Sequence, residues 1–159
     1  MTNFNLFNLN AKEAIKDYQR DDMEAYKQLR TNIEFSSIDK EIQVLVVTSS
    51  DSAEAKSTTA YNLAKVMAAQ KNRVLLIDCD LRIPDVHKNL KLSNRNGLTN
   101  ALINNDLDIN AMGKYIQTHK VPQGINDLFV MTAGSTIPNP LEVLSSKRFK
   151  EIGRASCRE

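Results

Sequence analysis

The chain has 159 residues, 42% of them hydrophobic, enough for one ordinary core, so a single domain or part of a larger one is expected. Its 21 Lys and Arg against 19 Asp and Glu leave a net charge of +2, which gives no basic footprint for nucleic acid. The longest apolar runs are strand-sized, far below the roughly 20 residues a membrane helix needs, and the N-terminus has no signal-peptide core, so a cytoplasmic protein is expected.

In chain order, MTNFNLFNLN is rich in Asn and Phe without a period and reads as a loosely held arm. From about Lys12 to Phe35 the pattern is helical, in two pieces, with Asp21 or Asp22 available to cap the second. Ala25, Leu29 and Ile33 recur at i, i+4, i+8, and Tyr26 extends the stripe. On the other side Glu24, Lys27 and Arg30 stand at three-residue spacing. A solvated charged face is the commoner fate of such a run.

Ile42 to Thr48, IQVLVVT, is almost uninterrupted apolar sequence and reads as a buried parallel strand. It breaks into small polar residues before Lys56-Ser57-Thr58-Thr59 opens a helix. That helix carries Ala60, Leu63, Ala64, Met67 and Ala68 on its apolar side and closes near Asn72. A strand, a loop and a helix N-terminus make a natural phosphate site, because the first-turn amides lack intrahelical partners and the helix dipole favours negative charge there. Lys56 would sit on the β and γ phosphates of a nucleotide and Ser57 on magnesium, with Ser52, Ala53, Glu54, Ala55 and Thr58 completing the cradle. No glycine occurs in this loop. Ala55 stands immediately before the lysine, where glycine is used because it tolerates positive φ and lets phosphate approach the backbone. An alanine methyl there predicts weaker nucleotide binding on an intact fold.

A second strand, Arg73 to Ile77, ends in Asp78-Cys79-Asp80-Leu81-Arg82-Ile83-Pro84. In an open parallel sheet ligands sit outside the carboxyl ends of the strands, which puts Asp78 and Asp80 at the same edge as Lys56. Two carboxylates beside a triphosphate suit magnesium, and one of them could take a proton from an attacking hydroxyl. The alternative for Asp80 is a turn cap before Pro84. Arg82 is near enough to pair with Asp80, or to touch nucleotide or a neighbouring subunit. Cys79 reads as a small buried residue, and His87 and His119 as ordinary surface histidines. With Cys157 it makes no metal or redox pattern.

Ile109 to His119 is weakly amphipathic, and Pro122 with Gly124 marks a turn before a strand at Leu128 to Thr132. Asn139 is placed to cap a helix with Pro140 at its first position. Glu151 to Glu159 continue no apolar period and resemble the translated read-through of a sequencing adapter, so they are set apart, and the natural protein is expected to continue past Lys150. The expected organisation is an arm and helix over 1–40, the N-terminal part of a nucleotide-binding domain over 41–150, and the tail 151–159.

The run TSSDSAEAKSTTAYNLA followed by VLLIDCDLRIPDVH resembles the first and second nucleotide motifs of the bacterial tyrosine kinases of capsular and exopolysaccharide synthesis. Glu24-Ala-Tyr-Lys-Gln-Leu-Arg30 resembles the family's ring-forming helix, with Lys27 where an arginine is usual. Gly97-Leu98-Thr99-Asn100, Thr132-Ala133-Gly134, Asn139-Pro140 and Leu144-Ser145-Ser146 follow in the family's order. The resemblance covers roughly Glu24 to Lys150. It implies an α/β fold, a P-loop, Rossmann-like parallel sheet flanked by helices and truncated at its C-terminal side. It also implies ATP and Mg2+ as cofactors, with Lys56, Asp78 and Asp80 catalytic and Ser57, Asp78 and Asp80 on the metal. Of these, Asp80 would assist deprotonation of a tyrosine hydroxyl. Glu24, Lys27 and Arg30 would join a homo-oligomeric ring, and a transmembrane polysaccharide co-polymerase would be the activator, tying the kinase to the inner face of the membrane. The third nucleotide motif and the acceptor tyrosine cluster would fall after Lys150. Two other readings stand beside this one: a loop-degenerate, non-catalytic subunit of the same machinery, and a partitioning-type ATPase, whose extra early lysine is missing from Ser49 to Ser52.

Overall fold

The computed structural model describes residues 11–36, 42–49, 55–70, 73–106, 108–121 and 126–155. The N-terminal arm, Ser52, Ala53, Glu54, Asn72, the turn at Pro122 and Gly124, and Cys157 lie outside the described residues.

The framework is a three-stranded sheet in the order β1-β3-β2, with β1 at Leu75–Ile77, β2 at Ile116–His119 and β3 at Leu128–Met131. β1 runs parallel to β3 in the register Leu75↔Phe129, Leu76↔Val130, Ile77↔Met131. Both strands are wholly apolar because both faces of the sheet are covered. Successive side chains point to opposite faces, so Leu76, Leu128 and Val130 join one core cluster while Leu75, Ile77 and Met131 join the other. Helix α2, Lys56–Ala68, covers the first face through Ala64 and Ala68, together with Val86 and Leu90 of the α3 region, Val86–Asn89. Helix α4, Leu98–Asn104, the short α5 at Ile109–Met112 and the C-terminal α7, Lys147–Ala155, cover the second.

The sheet is mixed rather than wholly parallel, because β2 pairs antiparallel with β3. Lys120 to Asp127 is too short for the crossover a parallel pair needs. β2 arises from the segment read as weakly amphipathic. Only Ile109–Met112 is α-helical there, and after a 3-10 turn at Gly113–Tyr115 the β-branched Ile116 and Thr118 enter the ladder.

Ile42 to Thr48 takes no strand, contrary to the pattern of its sequence. Ile42, Val44, Leu45 and Val46 are 42%, 57%, 44% and 78% exposed. An all-apolar strand is stable only with ladder partners and cover on both faces. The sheet of described strands, in the order β1-β3-β2, does not include this run, and without a ladder partner it takes no strand.

Helix α1, Ala11–Phe35, is one piece rather than two. Asp21 and Asp22 lie inside it, since a good capping residue is not a helix breaker without Gly or Pro beside it. Its less exposed positions in the second half are Met23, Tyr26, Arg30, Thr31 and Ile33, while Ala25 and Leu29 face outward. The packed stripe is therefore rotated from the Ala25, Leu29, Ile33 expectation, and it lies against α2. α2 itself ends earlier than Asn72, at Ala68 with Ala69 as its C-cap.

Helix α6, Pro140–Ser145, starts as expected with Asn139 before Pro140, although the Asn139 side chain makes no backbone cap and reaches only the Glu142 carboxylate at 3.5 Å. α7 continues through Glu151 to Ala155, and its Ile152 is 1% exposed in the core beside Phe149. The apolar period therefore runs on to Ile152, beyond where the sequence pattern suggests that it stops.

Between the sheet and α4 the backbone approaches closely. Leu98 N–H and Thr99 N–H donate to the Thr132 and Ala133 carbonyls at 2.8 and 3.0 Å. A β-carbon on Gly97 would lie 2.1 Å from the Thr132 oxygen and 2.6 Å from the Gly134 nitrogen, whereas one on Gly113 meets nothing within 4 Å. Gly97→Ala is expected to cost about 1–3 kcal/mol or more in urea unfolding, the range for forced overpacking, and Gly113→Ala to change stability by less than about 1 kcal/mol. Equal effects of the two would contradict this packing.

Candidate nucleotide site

The first turn of α2 supplies one half of the site. Ala55 precedes it with φ 53° and ψ 29°, a left-handed conformation, and its carbonyl accepts the first helical bond from Thr59 N–H at 2.8 Å. The backbone thus keeps the conformation that glycine normally occupies even though the residue is alanine, at a cost of roughly 1–2 kcal/mol for the L side chain. No acidic side chain stands in this first turn to compete for its amides. Lys56 and Ser57 are half-buried and Thr58 is exposed.

The carboxyl end of β1 supplies the other half. Asp78 extends the β1/β3 ladder by donating its N–H to Met131 O at 2.9 Å, which fixes its place at the sheet edge. The residue is 4% exposed. Its Oδ1 accepts from Asp80 N–H at 3.1 Å, and its Oδ2 is buried without a hydrogen-bond partner. Burial pushes this carboxyl up to about 6, the Asp85 and Asp80 charges add to the rise, and the backbone N–H groups of Asp80 and Val86 oppose it. Asp80 is exposed, and its Oδ1 caps the following turn, accepting from Arg82 N–H at 3.2 Å and Ile83 N–H at 3.0 Å. The turn-capping role is therefore real, and Arg82 meets Asp80 through its backbone.

A cleft of about 240 Å³ between α2 and α3 is lined by Ser57, Thr58 and Tyr61 on one side and Val86, Asn89 and Leu90 on the other. Val86, whose backbone N–H favours the ionised form of Asp78, lines this cleft, whereas Asp78 itself is not part of its lining. Tyr61 closes it, with its hydroxyl 3.2 Å from His119 Nε2 and the rings edge to face at 5.8 Å. His119 is thus a half-buried partner of Tyr61. His87, also half-buried, has a buried Nδ1 without a partner, so neither histidine is an ordinary surface one.

Cys79 is exposed rather than buried. Protein packed around the sulfur, and secondly the Asp78 charge, push its thiol up to about 11, away from nucleophilic character. Among the described residues no group of three or more His, Cys, Asp or Glu could hold a metal. That is compatible with magnesium, which is bound through one or two carboxylates, waters and phosphate oxygens rather than an all-protein cage. The unpartnered Asp78 Oδ2 is a hard oxygen donor of the right kind.

A family model for the CobQ/CobB/MinD/ParA nucleotide binding domain matches residues 45–151. The chain belongs to this family. Its domain is 43% identical over 134 residues to the tyrosine-protein kinase YwqD of Bacillus subtilis, covering 84% of this chain and 53% of that protein. It is 36% identical over 129 residues to the putative tyrosine-protein kinase CapB of Staphylococcus aureus, covering 81% of this chain and 53% of CapB. Among solved structures, the kinase domain of the Escherichia coli tyrosine kinase ETK superposes with a TM-score of 0.73 at 31% identity, covering 85% of this chain and 50% of that one. The chimerical protein CapA2B2 gives 0.71 at 32% identity, over 81% of this chain and 53% of that one. The chain spans about half the length of these two relatives, YwqD and CapB.

The α1 charges are distributed unequally. Glu24 and Lys27 pair at 3.0 Å on the exposed face, whereas Arg30 is turned inward and 7% exposed. Two features of the site were not legible in the sequence. Asp85, at the start of α3, holds a buried unpartnered Oδ1 and adds its charge to the Asp78 environment. Asn94 clamps the loop after β3, accepting from Gly134 N–H at 2.9 Å and donating to Gly134 O at 3.0 Å, where Gly134 has φ 86°. The Asn-rich NRNGLTN run was the available signal.

Because the folded carboxyl of Asp78 titrates near 6 and the unfolded one near 4, its charge is a cost above pH 6 that is relieved as pH falls toward 4. Asp78→Asn should therefore stabilise the nucleotide-free chain more at pH 7 than at pH 5 in urea unfolding. A difference that does not change with pH would contradict the buried carboxylate.

Proposed function

We propose that this chain is the nucleotide-holding part of an ATP-dependent protein tyrosine kinase that controls capsular or exopolysaccharide synthesis. The observation that carries the reading is a helix start at Lys56 and Ser57 preceded by a left-handed Ala55, together with a buried carboxylate, Asp78, at the carboxyl end of β1 whose Oδ2 has no hydrogen-bond partner. The similarity to tyrosine-protein kinases supports the reaction class.

In this reading the first-turn amides and Lys56 hold the β and γ phosphates of ATP, with Ser52, Ala53, Glu54, Ala55 and Thr58 forming the rest of the cradle. Ser57, Asp78 and Asp80 would hold the magnesium ion, which would bridge them to the phosphate charge. Bound Mg·ATP supplies the phosphoryl group, and the positive charge of Lys56 offsets the charge that spreads over it during in-line transfer. Asp80, exposed at the edge, takes the proton from the attacking tyrosine hydroxyl. Asp78, held by the ladder and by Asp80 N–H, fixes the geometry. Glu24 and Lys27 on the exposed face of α1 serve subunit association into a ring, with Arg30 at the same helix. No helix among the described residues is long and apolar enough to cross a membrane, and attachment to the inner membrane face runs through a transmembrane co-polymerase partner. The loop without glycine supports a second reading, a non-catalytic subunit of the same machinery.

Titration calorimetry with Mg·ATP tests the first reading. Micromolar binding by the native chain, lost at least tenfold in Lys56→Ala, is the expected result. Ala55→Gly should bind several-fold tighter and be about 1 kcal/mol more stable, because it removes the left-handed strain that Ala55 carries. Binding that appears only when Ala53 and Ala55 are both glycine would favour the non-catalytic reading. Transfer of labelled phosphate from ATP to a tyrosine peptide, abolished in Asp80→Asn, checks the reaction itself.

A further inference from the structure

The sequence puts Arg30 on a charged face, but the structure puts it in the packed stripe of α1 between Tyr26 and Ile33. Burying a guanidinium is unfavourable unless it has specific partners. Its Nη1 donates to the carbonyl of Val66 in the last turn of α2 at 3.2 Å, 36 residues away in the chain. Its Nε lies 3.5 Å from Glu34 Oε1, which supplies charge neutralisation, although that nitrogen makes no hydrogen bond.

The choice of acceptor is informative. The last carbonyls of a helix have no intrahelical donor, and a cation near them also meets the negative end of the helix dipole. At the end of α2, Ala69 N–H bonds Lys65 O at 3.0 Å and Gln70 N–H turns to Met67 O at 3.1 Å, bypassing Val66 O. Arg30 takes the carbonyl that is left. The opposite end of the same helix carries Lys56 and Ser57.

We propose that Arg30 is a positioning residue: a capping group, donated by α1, that holds the C-terminal end of α2 and thereby sets the placement of its phosphate-facing N-terminal turn. The proposal assigns Arg30 to contact within the chain and leaves Glu24 and Lys27 as the exposed charges of that helix. Its effect on nucleotide rests on the proposed ATP site, whereas the capping contact itself does not.

Two variants of the full chain, Arg30→Met and Arg30→Lys, test this by hydrogen exchange and Mg·ATP titration, with Glu34→Gln as a control that keeps the Val66 contact. In Arg30→Met the Ala69 and Gln70 amides and those of Met23 to Ile33 should exchange at least tenfold faster, with β1 and β3 protection unchanged. Mg·ATP affinity, measured where the chain is fully folded, should fall several-fold. Arg30→Lys, which keeps the charge and a donor, should recover most of both. If Arg30→Met does not fold, the comparison of Arg30→Lys with Glu34→Gln decides, the first showing partial and the second native protection at Gln70. Native exchange at the α2 end in Arg30→Met, or an Arg30→Lys no better than Arg30→Met, overturns the proposal. A native chain that binds no ATP would sink the nucleotide reading alone, because the exchange pattern judges the cap separately.

Discussion

The parallel pairing of β1 with β3 is the constraint from which the site follows. Three residue pairs set the register, and the ladder runs one step further when Asp78 N–H reaches Met131 O. That bond carries a carboxylate out of a wholly apolar strand to the sheet edge while leaving it nearly inaccessible. A one-residue slip would send Leu76 and Val130 to the wrong face and turn Asp78 away from α2. The core on the α2 side, with Ala64, Ala68, Leu128 and Val130, is what seats α2 on this sheet.

The site stores unfavourable free energy in two places. Ala55 holds a left-handed backbone that suits glycine, and Asp78 holds a carboxylate whose second oxygen is buried without a donor. Both are what a polyphosphate with its metal would relieve: the left-handed backbone at Ala55 is the one glycine takes before a phosphate-binding lysine, and the orphan oxygen matches a hard cation. Strain of this kind belongs at binding sites, where the rest of the fold over-determines it.

Much of this was legible. The apolar runs at Leu75 to Ile77 and Leu128 to Met131 became strands, the polar break before Lys56 became a helix start, and the Asp pair landed at the carboxyl edge. What failed depended on partners that local pattern does not specify. Ile42 to Thr48 has strand composition but no ladder partner among the described strands, so its side chains lie exposed. Ile116 to His119 lay in a segment that read only as weakly amphipathic, because periodicity in a short segment is ambiguous, and pairing with β3 decided it. Arg30 looked like surface because arginines usually are; an unfilled carbonyl on a helix distant in sequence drew it inward.

The central claim is that the first turn of α2 and the end of β1 grip one magnesium-bound polyphosphate. Amide chemical shifts of the labelled chain during titration with Mg·ADP report on both at once. The account predicts that Lys56, Ser57 and Thr58 shift together with Asp78 and Asp80, at one common midpoint. Shifts confined to one of the two segments, or spread elsewhere in the sheet, would contradict it.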